Sequence, residues 1–307
     1  NVIDLCPVGA LTSKPYQYNA RPWELKKTES VDVMDAVGSN IRVDARGNEV
    51  LRVLPRLNED VNEEWISDKT RYACDGLRRQ RLDKPYIRGM DGKLKPASWQ
   101  DAMAAVAKAA NGLKGEQMAA LTGDQACVES VYSLKMLMEM LGSPNLDCRQ
   151  DGAKLDAGVR AGYIFNTTIA GIEQADALLI VGANIRWEAP IINARIRKRW
   201  LTGAMQVATI GEQIKTTYDS DYLGAGPETL SEVADGSHPF AEILKSAENP
   251  MIIVGQGALA RKDGAAVLAA AKKIADMCGM IKEDWNGFNV LHTAASRVGA
   301  LDVGFVP

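Results

Sequence analysis

The chain has 307 residues, 46% of them hydrophobic and 24% charged, with a formal net charge of −3. That length suits about two domains and burial of about 75% of the unfolded surface, so folding needs no disulfide or metal staple. Interspersed, nearly balanced charge excludes the basic footprint of a dedicated nucleic-acid binder, and no apolar run approaches the ~20 residues of a bilayer span.

Five cysteines (Cys6, Cys74, Cys127, Cys148, Cys278) are scattered without a CxxC pair, and His238 and His292 are the only histidines. A secreted disulfide framework is denser and usually even in number. Such scarcity of histidine also argues against metalloenzyme and Ser-His-Asp chemistry, which draw on it heavily. The expectation is a chain of a reducing compartment, without signal peptide or direct membrane insertion. Its opening on Asn1 suggests an internal piece of a longer polypeptide.

In chain order, residues 1–27 carry Pro7, Pro15 and Pro22 and read as an irregular connector. From Ser30 to Arg56, short β-type runs flank the turn signal Arg46-Gly47-Asn48. Glu59 to Arg81 reads as a polar, partly helical extension that Lys84-Pro85 ends. Beyond Pro96 the rhythm becomes α/β. Ser98, with Asp101 three residues on, opens an Ala-rich helix running to about Gly112. A short strand is expected at 118–121 and a helix at 128–141, with Val131, Leu134, Met138 and Leu141 at helical spacing. Buried strands follow at 175–182 and 251–255 with another at 206–210, and helices at 189–201, 240–247 and 264–277. Short apolar strands alternating with helices imply parallel strands and right-handed crossovers.

Several motifs allow two readings. Cys6-Pro7 is either an inert cysteine or the last ligand of an iron–sulfur set, which is often a cysteine followed by proline. Gly182-Ala183-Asn184 and Gly255-Gln256-Gly257 each follow a buried strand. They are either turn residues or the place where a backbone approaches a phosphate, and neither completes GxGxxG. Arg195, Arg197, Lys198 and Arg199 read as a solvated helix face or a partner contact in preference to a phosphate groove. Asp32, Asp35 and Asp44 read as solvated acids in preference to a metal site, and the two histidines as structural.

Taken together, DLCPVGALTSKPY at 4–16, ARPWELKKTESVDVMDAVGSNI at 20–41, NEEWISDKTRYACDGLRRQRL at 62–82 and NTTIAGIEQADALLIVGANIRWEAPIINARIRKRW at 166–200 resemble the large iron–sulfur (G-type) subunit of respiratory complex I. GSHPF at 236–240, DGAAVLAAAKKIA at 263–275 and GALDVGFVP at 299–307 continue the likeness to the end, with an alphaproteobacterial and mitochondrial flavour.

The resemblance implies three parts. Residues 1–27 would be the tail of an N-terminal iron–sulfur region, 28–84 a small β-rich module, and 85–307 an α/β region of parallel sheets with flanking helices, similar to molybdopterin oxidoreductases. It implies that Cys6 is one ligand of a 4Fe–4S cluster whose other ligands lie outside these residues. In the related enzymes the module binds its own cluster through C-x2-C-x3-C and a later cysteine. Here that pattern falls on Asp32, Asp35, Ser39 and Ser67, and Lys69 matches a lysine of those enzymes. Oxygen side chains replace thiolates poorly around iron and sulfide, so the module is expected to have lost its cluster. Cys148 does not fit a molybdenum-ligand setting, and no molybdopterin is expected.

The implied function is that of a core subunit of NADH-quinone oxidoreductase, an ion-translocating enzyme. This chain would scaffold electron transfer from NADH toward quinone while being inactive alone. Expected partners are other subunits of the hydrophilic arm, with no nucleic acid. The expected location is peripheral, on the cytoplasmic face of a bacterial inner membrane or the matrix side of a mitochondrial one. The alternative is a molybdopterin-type oxidoreductase of the formate dehydrogenase class with its own substrate.

Overall fold

A computed structural model describes residues 1–307. The chain opens with a four-residue helix, α1 (Val2–Leu5), and reaches a three-stranded antiparallel sheet: β1 (Lys26–Val31), β2 (Asn40–Arg46) and β3 (Glu49–Pro55), in that order. Gly47, at φ +61°, with Asn48 makes the two-residue turn between β2 and β3, a connection that requires residues tolerant of positive φ. Ile41, Val53 and Ile66 form the small apolar core beneath this sheet.

Helix α2 (Asp68–Tyr72) starts at Ser67, whose Oγ accepts the Thr70 amide hydrogen 3.0 Å away, the ordinary N-cap bond. A hairpin of β4 (Tyr86–Arg88) and β5 (Leu94–Pro96) then leads to α3 (Trp99–Ala110), capped by Ser98 as its spacing predicts. Next come β6 (Ala120–Leu121), α4 (Val128–Met140) and β7 (Leu146–Asp147), with β6 and β7 paired in parallel.

The largest element is a five-stranded, wholly parallel sheet of β8 (Ala177–Val181), β9 (Gln206–Ile210), β10 (Asp221–Gly224), β11 (Pro250–Gly255) and β12 (Phe288–Leu291). Their spatial order is β10-β9-β8-β11-β12. Between these strands run α5 (Ile185–Glu188), α6 (Pro190–Trp200), α7 (Pro227–Asp235), α8 (Pro239–Ser246), α9 (Gln256–Leu259) and α10 (Gly264–Met277), and α11 (Arg297–Asp302) ends the chain. The order reverses at β8, which makes this a doubly wound sheet with its switch point between β8 and β11. Every residue of β8 and β11 is buried, as a parallel sheet covered on both faces requires.

Alternation divides the interior in two. Leu179, Val181, Ile252 and Val254 pack with α7, α8 and α10, whereas Leu178, Ile180, Met251 and Ile253 pack with Ile192 and Ile196 of α6. Val37, from the loop between β1 and β2, enters the second of these cores. The β-module is thereby plugged into the α/β unit. No helix is long and apolar enough to cross a membrane.

Candidate iron–sulfur and cofactor sites

Cys6 sits where α1 ends, on an extended residue whose amide bonds back to the Ile3 carbonyl. Its Sγ lies 3.1 Å from the Val8 carbonyl. The backbone amides of Val8, Leu11 and Ala10 surround the sulfur and hold the thiol below its ordinary pKa. A partly exposed thiolate facing several N–H groups is what a cluster ligand needs. The turn is tied to the β-module: Asn1 Nδ2 donates to the Ile66 carbonyl (2.9 Å), Arg71 pairs with Asp4 (2.6 Å), and Arg52 lies 4.3 Å from the centre of the Tyr16 ring.

The other cysteines differ. Burial raises the pKa of Cys74, Cys148 and Cys278, the last to about 11, while Cys127 is exposed beside Ser130. No three Cys, His, Asp or Glu side chains are grouped to hold a metal. Cys6 is therefore a thiol whose surroundings favour its ionised form, with no further ligand grouped beside it.

The four oxygen side chains at the module's cluster positions are all buried: Asp32, Asp35, Ser39 and Ser67. The Asp32 amide bonds to the Ser39 carbonyl (2.8 Å) and closes the loop that carries the first three. Thr70 Oγ1 donates to Asp32 Oδ2 (2.9 Å) and shares a 2.8 Å bond with Ser67 Oγ, which joins α2 to that loop. Asp35 Oδ1 accepts the Val37 amide hydrogen (3.0 Å); Asp35 Oδ2 and Ser39 Oγ have no partner. Burial pushes the Asp35 carboxyl up to about 6 and Asp32 adds to this, while the Val37 amide and Lys69 oppose it.

This donor set does not fit a 4Fe–4S cluster. The groups are hard oxygens, two of them joined through Thr70, and the module's one thiol, Cys74, stands apart from them in sequence and bonds to the Arg71 carbonyl. Asp44, also buried, is accounted for as well. Burial works to raise its pKa, but the Arg42 and Arg52 guanidinium groups at 2.9 and 2.8 Å outweigh it and hold the carboxyl low.

At the carboxyl ends of the parallel strands, a cavity of about 300 Å³ is lined by Asn184, Glu188, Glu212, Gly257 and Arg261, among others. The glycines there serve close packing. A Cβ on Gly255 would fall 2.5 Å from Ala183 Cβ and from the Gly182 carbonyl oxygen, and one on Gly182 would fall 2.5 Å from Ala258 Cβ. The ends of β8 and β11 thus pack in direct contact on the wall of this cavity.

Glu188 Oε1 accepts the Asn184 amide hydrogen (2.7 Å) after β8, so a resident carboxylate occupies the donor that a phosphate would use. Burial raises the Glu188 carboxyl, opposed by the Asn184 amide and Lys69. Arg261, the one cation on the wall, is bound to Asp263 at 2.7 Å. These residues do not fit a pyrophosphate-bearing pterin.

On the basic helix, Arg197 and Lys198 are exposed as a solvated face requires, whereas Arg195 departs from that reading. Arg195 is buried and bonds to Glu173 and the Glu59 carbonyl, with Glu63 at 3.4 Å. Lys198 bridges Glu63 (2.5 Å) and Glu173 (2.9 Å), while Arg197 and Arg199 donate to the Thr217 and Ala175 carbonyls. Helix α6 is held to the 59–63 segment and to Glu173 by these opposite charges. Both histidines are structural: His238 Nδ1 caps α8 through the Phe240 amide, and buried His292 contacts the Tyr163 carbonyl at 2.6 Å. Thr70 and Glu188 are the polar residues that sequence reading passed over. Thr70 was detectable as the third residue after the Ser67 cap, whereas nothing local marked Glu188.

A doubly wound sheet preceded by a small antiparallel module defines the class, and family comparison agrees. Residues 81–307 match the molybdopterin oxidoreductase family, and the chain belongs to it. Residues 25–75 match the NADH-ubiquinone oxidoreductase NDSU1/NuoG-like 4Fe-4S domain.

Among named relatives, the chain is 52% identical over 307 residues to the mitochondrial NADH dehydrogenase [ubiquinone] iron-sulfur protein 1 of Solanum tuberosum, covering all of this chain and 42% of that one. It is 50% identical over 305 residues to the G-type subunit of the NADH-quinone oxidoreductase of Rickettsia felis, covering 99% of this chain and 45% of that one. The chain therefore spans less than half the length of these curated relatives. A solved chain from the formyltransferase/hydrolase complex of Methylorubrum extorquens shares 19% identity, with a TM-score of 0.42 over 64% of this chain and 57% of that one.

Proposed function

We propose that this chain is part of the large iron–sulfur subunit of an NADH-quinone oxidoreductase, with Cys6 supplying one thiolate to a 4Fe–4S cluster. The observation that carries the reading is the amide-lined turn around Cys6, in a chain half identical from end to end to subunits of that enzyme. When bound, such a cluster accepts and releases single electrons. The residues of this chain hold the thiolate, aim amides at its sulfur, and fix the turn to the module through Asn1 and the Asp4–Arg71 pair.

In this reading residues 1–27 are the cluster-bearing tail, and 28–84 and 85–307 are scaffold. NADH and quinone react on other subunits of the hydrophilic arm, and the chain lies peripherally on the cytoplasmic or matrix side of the membrane. The resident Glu188 carboxylate and the pairing of Arg261, the cavity's one cation, with Asp263 weigh against a molybdopterin enzyme with its own substrate.

The test is Cys6→Ala in the full-length counterpart, read by EPR. One 4Fe–4S signal should disappear and NADH–quinone turnover should fall. An unchanged set of signals contradicts the assignment.

A further inference from the structure

The cavity at the carboxyl ends of the parallel strands carries the opposite charge from the one its position favours. Strand ends and helix starts ordinarily offer amide hydrogens to an anion. Here acids of the chain already occupy them. The Asn184 amide after β8 is bonded to Glu188, and Glu228, in the first turn of α7, lies against the lining residue Gly226. Glu212 is a further, exposed acid of the wall. Glu188, Glu212 and Glu228 form no ion pair, while Arg261, the one cation of the wall, is held by Asp263 through bonds of 2.7 and 2.9 Å. A concave surface lined by one sign of charge concentrates ligands of the other sign.

Within this acidic rim nearly half of the wall is aliphatic, with Ile210, Leu230 and Val267 among its residues. Glu188 is the group left incompletely bonded. Its Oε1 accepts the Asn184 amide hydrogen, whereas Oε2 is buried and has no partner. Lys69 favours the charged form of Glu188 but makes no bond to it. A buried carboxylate oxygen without a donor is destabilising, and a ligand that brings both a donor and a positive charge relieves it. The walls come from β8, β9, α7, α9 and α10, all within this chain, and about 300 Å³ suits a small molecule.

We infer that this cavity binds a small organic cation, a guanidinium, amidinium or protonated amine on an apolar body, with its charged end on Glu188 and its body against Ile210, Leu230 and Val267. An anion fits poorly, because the amide donor after β8 is taken and three carboxylates border the site. A metal ion fits poorly as well, since no three metal-ligating side chains are grouped there. A neutral apolar molecule would leave Glu188 Oε2 without a partner. The site shares no residue with the turn around Cys6, so its failure leaves the Cys6 assignment untouched.

The experiment titrates the chain and its full-length counterpart by calorimetry with benzamidine, the neutral benzamide and the anionic benzoate. Benzamidine is expected to bind both proteins about tenfold or more tightly than either of the other two, and to weaken as salt is added. Glu188→Gln should lower its affinity about tenfold or more, because a charge-assisted bond becomes a neutral one. Glutamine retains an oxygen for the Asn184 amide, so the fold is kept, and circular dichroism checks this. Ala225→Leu, at an exposed position of the wall, should lower the affinity about tenfold through bulk alone. Equal affinity for benzamidine and benzamide, tighter binding of benzoate, no saturable binding of benzamidine, or indifference to Glu188→Gln or to Ala225→Leu each overturns the inference. So does binding by the chain that is absent from the full-length counterpart, which would show that the rest of the subunit fills the cavity.

Discussion

The α/β unit and the β-module are built on different terms. The first buries Leu178, Leu179, Ile252 and Ile253 completely, on the two faces of one sheet. The second has an apolar core of Ile41, Val53 and Ile66, and gives much of its remaining interior to Asp32, Asp35, Ser39, Asp44, Asn62 and Ser67. Apolar burial is non-directional and tolerates the loss of one contact, whereas a buried polar network holds only while each member is satisfied. The module therefore depends on specific bonds and on its attachment to the larger unit through Val37 and the Arg195 cluster. In this module, which matches a 4Fe-4S domain, Thr70 links Asp32 to Ser67 while Asp35 Oδ2 and Ser39 Oγ are left without partners.

The two regions are joined most directly at Arg195. Arg195→Ala removes a buried guanidinium and leaves Glu173 and Glu63 facing Lys198 alone, so urea denaturation should show a loss of about 3–5 kcal/mol. The loss should come with early exposure of the module to protease. Leu179→Ala, in the sheet core, should lower stability by about 2–5 kcal/mol but as one cooperative transition, leaving the module attached until global unfolding.

Asp35→Asn sharpens the contrast through pH. Burial raises the folded pKa of Asp35 from 3.8 to about 6, so the folded state holds a proton that the unfolded state has released. Below about pH 4 there is no penalty. It grows as pH rises to about 6 and stays constant above. A shift of that size corresponds to roughly 3 kcal/mol, and asparagine should recover most of it at pH 7 while matching wild type at pH 3.5. A variant with the pH profile of wild type would show that Asp35 is solvated. The smallest effect is expected at the β2–β3 turn, where Gly47→Ala, at φ +61°, should cost about 1 kcal/mol in thermal melts.

The α/β architecture was legible because its signals are local. The strand at 206–210 and the helix at 264–277 occur at the expected residues, and the Ser98 cap makes its predicted bond. Strand β12 escaped because Asn289 interrupts its apolar run. That side chain is fully buried and donates to Thr167 Oγ1 and to the Ile252 and Gly287 carbonyls, partners 122, 37 and two residues away. Strand β1, all exposed and half charged, shows no alternation to read.

At the candidate sites, Cys6 was marked by the proline after it, and the module's replaced ligands by their spacing within a family resemblance. Their bonding to Thr70 depends on a helix and a loop that meet only in the fold. The destination of the α6 cations was hidden for the same reason, since Glu63 and Glu173 are far from them in sequence.

In the proposed reading these residues scaffold a cluster completed elsewhere and hold no complete cofactor site of their own. Iron, acid-labile sulfide and molybdenum measured on the chain after anaerobic purification and reconstitution test it most directly. Folded protein with no stoichiometric iron, sulfide or molybdenum is the predicted result. Stoichiometric iron and sulfide that persist in Cys6→Ala, or any bound molybdenum, would contradict it and return a cofactor to the module or to the strand-end crevice.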